Sequence, residues 1–106
     1  DRGGGMSFGD EGTLSAVKRH LRNLMTAQEA YRQKWGGYAK TAPELEGVGM
    51  LLLTPGHTVS MVGTPKGYTA TVSNELIVDG PRRCSVYIGD AAAAAGKQEG
   101  RLESHE

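Results

Sequence analysis

The chain has 106 residues, with twelve basic and twelve acidic side chains and no net charge. That length holds one small core and not two, and the charge balance gives no long-range field to draw in nucleic acid or an anionic membrane. Sixteen glycines beside a single Phe and a single Trp imply many turns and a thin core.

Residues 1–12 read as a flexible leader or an expression remnant, since Asp1 to Gly9 contains no apolar run of signal-peptide type. Asp10 and Glu11 then sit where acids favour a helix start, and Gly12-Thr13 supplies a plausible cap. From Thr13 to Trp35 the apolar residues Leu14, Val17, Leu21, Leu24, Tyr31 and Trp35 recur at gaps of three and four, with Gln28 the polar interruption. This pattern predicts one amphipathic helix on the order of 35 Å long, more than a domain of this size needs across its core. Gly36-Gly37 ends it, and Tyr38 to Gly49 reads as a surface connection with one helical turn near Thr41-Ala42-Pro43. Met50 to Leu53 fits either a short strand or a buried loop. At four residues it is the densest apolar run, far below the ~18 of a membrane span.

The period then changes from that of a helix to two. His57 to Gly63 places Val59 and Met61 on one face, Thr64 to Gly67 forms a turn, and Tyr68 to Ser73 aligns Tyr68, Ala70 and Val72. A second connection bends at Asp79-Gly80-Pro81, after which Arg82 to Gly89 points Cys84, Val86 and Ile88 inward and Ser85 and Tyr87 outward. The fold class expected is α+β: a long N-terminal helix packed on a small antiparallel meander of three to four strands. Residues 13–90 form the globular domain. Residues 91–106 open on five alanines, show no strand period and read as a loosely held tail.

Chemistry finds little foothold. His20, His57 and His105 have no metal-ligand spacing, His20 and His57 read as solvated, and no cofactor is implied. Cys84 has no partner cysteine and reads as a buried structural thiol. No serine stands in a nucleophile motif, so no enzyme activity is expected. Charge is distributed unevenly. Between Thr13 and Lys40 six cations face one anion, whereas from Asp90 onward four acids face two cations. Solvated faces with no partner account for this segregation, and head-to-tail contact between copies would also suit it, with Lys18, Arg19, Arg22, Arg82 and Arg83 the candidate contacts to a second subunit or a polyanion. Tyr31, Trp35 and Tyr38 could stack on bases, but aromatics at helical spacing more often pack a core, so nucleic acid is not the expected partner.

The stretch Leu21-Arg22-Asn23-Leu24-Met25-Thr26-Ala27-Gln28-Glu29-Ala30-Tyr31, followed by Tyr38-Ala39 and Pro43-Glu44-Leu45, resembles the helix ending of bacterial type IV pilins and pseudopilins. The segments Gly67-Tyr68-Thr69-Ala70-Thr71-Val72 and Cys84-Ser85-Val86-Tyr87-Ile88-Gly89 resemble that family's later strands. The likeness covers Thr13 to about Asp90. It implies a structural filament subunit, homo-oligomeric through an apolar helical half lying upstream, anchored in the inner membrane before assembly and then displayed at the cell surface. Other pilins are possible partners. The alternative it implies is a minor pilin or secretion pseudopilin that binds a secreted protein, a surface or DNA. Three features depart from the family pattern: the cleavage motif with its roughly 25-residue apolar segment, the C-terminal cysteine that pairs with the strand cysteine, and the acidic calcium loop of major pseudopilins.

Overall fold

A computed structural model describes residues 8–49, 56–77 and 81–105. Helix α1 runs Phe8–Trp35, about 42 Å at 1.5 Å per residue. It begins earlier than the sequence suggests, which corrects both the Thr13 cap and the reading of residues 1–12 as one leader. Gly9 and Gly12 each cost a helix about 1 kcal/mol, too little to end one that tertiary packing supports. Residues 1–7 lie outside the described residues. At its other end Gly36 turns into the left-handed region at φ +84° and donates its N–H to the Arg32 carbonyl at 2.7 Å. This is a conformation glycine adopts at no steric cost.

Helix α2 (Ala42–Gly47) follows, with Pro43 in its first turn and the Glu44 carboxylate accepting the N–H of Thr41 at 3.1 Å. The strands are β1 (His57–Thr64), β2 (Gly67–Asn74) and β3 (Arg83–Ile88). Helix α3 (Asp90–Ala95) and strand β4 (Glu103–His105) complete the described chain. The sheet is antiparallel throughout, in the order β1-β2-β3-β4. The fold is therefore α+β, one long helix with a four-stranded meander. Met50 to Leu53 and the Asp79-Gly80 bend fall outside the described residues.

Register explains the core. Val59 pairs with Val72 and Val72 with Cys84, Met61 with Ala70 and Ala70 with Val86, and Tyr68 with Ile88. These rows form one apolar face, and Val17, Leu21 and Leu24 lie against it fully buried. Leu14 and Tyr31 pack at its margin. Trp35 departs from the expected stripe. It is 48% exposed because it closes the helix beyond the packed face, its ring 4.5 Å from that of Tyr31.

The tail differs from expectation as well. Ala91 and Ala92 are buried and α3 packs on β2 and β3, consistent with the high helix propensity of alanine. Strand β4 is held to β3 through the pairs Arg83 with His105, Cys84 with Ser104 and Ser85 with Glu103. A salt bridge between Lys97 and Glu103 at 3.0 Å ties the intervening segment to it. Ile77, in the connection after β2, is fully buried and belongs to the core.

Candidate interaction surface

The five cations singled out by the sequence do not form one patch. Arg82 and Arg83 stand together where β3 begins, across from the end of β2. The Asn74 N–H donates to the Arg82 carbonyl at 3.0 Å, and the Asn74 side-chain oxygen accepts from the N–H of Leu76 at 2.9 Å. These two bonds shape the chain as it leaves and re-enters the sheet. The result is a cleft of about 340 Å³ lined by Ser73, Asn74, Glu75, Arg82 and Arg83. Asn74 is buried, so the cleft rests on a fixed floor, and Glu75 is the acid that tempers its charge.

Lys18, Arg19 and Arg22 lie on α1 and divide between its two flanks. Lys18 and Arg22 sit within electrostatic reach of Cys84, and Arg19 within reach of His20. Arg19 and Arg22 are exposed and Lys18 is half-buried. Burial, opposed by these cations and by the Ser104 hydroxyl, pushes the Cys84 thiol above its ordinary value, which agrees with an inert structural role.

His20 corrects an expectation: it is 4% exposed and not a solvated edge residue. Its ring meets the half-buried His57 ring edge-on at 4.3 Å, and His57 lies 3.4 Å from the Asn74 amide nitrogen. Burial, with His57 and Arg19 nearby, holds the His20 imidazole below its usual range. No spacing in the sequence signals this pair, because thirty-six intervening residues bring it together.

Polar contacts elsewhere brace the fold. Ser85, on the outward face of β3, is nonetheless 3% exposed. Its hydroxyl lies 2.7 Å from Thr71 Oγ1 and 2.7 Å from His105 Nε2, which closes β4 over it. At the far end of α1, Glu29 accepts from Arg32 at 2.8 Å and from the Tyr38 hydroxyl at 3.1 Å. The Arg32 hydrogen bond holds the Glu29 carboxyl below the ordinary range. Among the described residues no three His, Cys, Asp or Glu side chains are placed to hold a metal ion, and no helix is long and apolar enough to cross a membrane. No family model matches the chain, and neither does any curated protein or solved structure.

Proposed function

We propose that the chain is the head domain of a type IV pilin-like filament subunit, with no catalytic role. The observation that carries the reading is the disposition of α1: a single 28-residue helix laid by its apolar stripe along one face of a four-stranded antiparallel meander. A helix longer than the sheet needs is the element a filament can bundle, while the outer sheet face and the cationic flanks remain for contacts between heads. The strand and helix motifs quoted above support the same family. In this reading the subunit is displayed on the cell surface after membrane anchoring through an apolar extension of α1.

The cleft bearing Arg82 and Arg83 favours a second form of the same reading, a minor subunit at a filament tip that binds an acidic partner. Immunogold electron microscopy of material sheared from the source cells, with antibody raised to this chain, tests both. Label spaced along thin filaments is expected of a major subunit, and label confined to filament ends of a tip module. Filaments that never carry label, with the protein recovered wholly in other fractions, would overturn the assignment.

A further inference from the structure

A second cleft, of about 260 Å³, opens at the opposite end of the sheet, where the last turn of α1, the connection after it and the β1–β2 turn meet. Three cations from three separate segments line it: Arg32 from α1, Lys40 from the connection and Lys66 from the turn, with Gly37, Tyr38 and Thr64 between them. Its walls are fixed backbone to backbone. The Gly63 N–H donates to the Lys40 carbonyl at 2.9 Å, and a Cβ on Gly63 would lie 2.6 Å from the Lys40 Cα. Both lysines are thus carried on one rigid frame.

The carboxylates around this cleft are taken up by hydrogen bonds from its own lining residues, and none reaches the ammonium of Lys40 or Lys66. Glu29 accepts from Arg32 and Tyr38. Asp90 accepts from the Thr64 hydroxyl and, at 3.2 Å, from the Lys66 N–H, and hydrogen bonding from Thr64 holds its carboxyl below the ordinary range. Glu44 accepts the backbone N–H of Lys40 at 2.6 Å. Among the described residues neither the Lys40 nor the Lys66 ammonium has an ion-pair partner. The backbone N–H groups of Gly37 and Tyr38 likewise donate to no described protein acceptor. Arg32 and Lys34 in the last turn of α1 offset the partial negative charge of the helix end.

We infer that this cleft binds a tetrahedral oxyanion, phosphate or sulfate, between the ammonium groups of Lys40 and Lys66, with the Gly37 and Tyr38 N–H groups as further donors. Two like charges on a rigid frame gain most from a doubly charged ligand, and lysine serves it as a mobile point charge. The cleft is roomier than the bare ion, which leaves space for the organic remainder of a phosphate or sulfate ester. This site is distinct from the Arg82–Arg83 cleft and stands whether or not the chain forms filaments.

Titration of the whole isotopically labelled chain with inorganic phosphate and with sulfate, at constant ionic strength and pH and followed by amide NMR, tests it. Saturable shifts centred on Gly37, Tyr38 and Lys66 are expected, with a Kd on the order of millimolar, and no such response to chloride. The double variant Lys40→Ala/Lys66→Ala replaces two exposed side chains, so it should keep the native spectrum elsewhere and bind at least about tenfold more weakly. A phosphate monoester of a sugar identifies the source: tighter binding than phosphate supports an esterified ligand, and equal binding supports the free ion. Shifts that never saturate, that chloride reproduces, that persist undiminished in the double variant, or that centre on Arg82 and Arg83 would overturn the site.

Discussion

The Gln28 side chain and the Ala39 backbone form a closed amide pair. Gln28 Nε2 donates to the Ala39 carbonyl at 2.9 Å, and the Ala39 N–H donates to Gln28 Oε1 at 2.8 Å. Gln28 is fully buried, and its amide nitrogen also lies 3.1 Å from Met61 Sδ. What reads along α1 as a flaw in the apolar stripe is the peg that fastens the chain after the helix to the helix itself.

Removing that peg should leave a buried backbone N–H and carbonyl unsatisfied, at about 1–3 kcal/mol each. Gln28→Leu is therefore expected to destabilise the fold by about 2–4 kcal/mol, read from the urea midpoint at neutral pH. Gln28→Glu offers a sharper check. Its protonated form can donate and accept as Gln does, whereas its ionised form cannot donate to Ala39, so its deficit should shrink as the pH falls toward 4. A deficit independent of pH would show that the pair is not what holds this segment.

His20 makes stability depend on pH above the carboxylate range. Its folded-state pKa lies below the ordinary value of 6.5, so between those two values the unfolded chain binds more protons than the folded one. Its contribution is therefore complete above about pH 6.5 and declines as the pH falls. Unfolding free energy measured from pH 7.5 to 5 should decrease toward the acid side, and His20→Leu should flatten that slope. The depressed carboxyls of Glu29 and Asp90 act in a separate window, losing their contribution below about pH 4.5.

Gly67 and Gly89 tolerate no side chain. A Cβ at Gly67 would lie 1.9 Å from the Ile88 carbonyl oxygen, and one at Gly89, which has φ +67°, would lie 2.2 Å from the Lys66 carbonyl oxygen. Gly67→Ala should cost about 3 kcal/mol or more, since only movement of one strand away from the other relieves the clash. Gly12→Ala is the converse. Nothing lies within 4 Å of its Cβ and it sits within α1, so a gain of about 0.5–1 kcal/mol is expected. Thermal melts of the two variants should move in opposite directions.

Cys84 and Ser104 face each other across β3 and β4, with Sγ and Oγ 3.9 Å apart. Ser104→Cys should therefore form a disulfide in air, closing a loop of about 20 residues and adding about 3 kcal/mol. Thiol titration should fall to zero, and reductant should reverse the rise in melting temperature. Persistent free thiols in an otherwise native variant would place β4 elsewhere.

If the heads meet through the exposed cations of α1, reversing Arg19 and Arg22 to glutamate should weaken filament assembly most at low salt, where exposed charges are least screened. Electron microscopy and sedimentation over a range of ionic strength read the effect. Assembly equal to that of the unaltered chain at every salt concentration would remove these residues from the interface.

Much of the architecture is legible from period alone. The shift from a spacing of three and four in Leu14 to Leu24 to a spacing of two in Val59 to Ile88 separates helix from strands, because each period can bury only one face. Tight turns made the β1–β2 hairpin readable, and Cys84 was recognisable as a buried thiol from its place in an alternating run. The tail was not readable in the same way. Three residues of β4 are too few to show a period, and the strand exists because β3 offers an edge and His105 reaches Ser85.

Taken by itself, the amino-acid order determined that one long helix precedes the strands β1 to β3 and which of their faces are greasy, since those are properties of neighbours along the chain. Tertiary structure alone decided that Gln28 is a clasp, that His20 is buried against His57, that Trp35 overhangs the core, and that the predicted basic set divides while Lys40 and Lys66 converge. Those outcomes depend on distances between segments far apart in sequence, and only the packing of α1 across the sheet sets them.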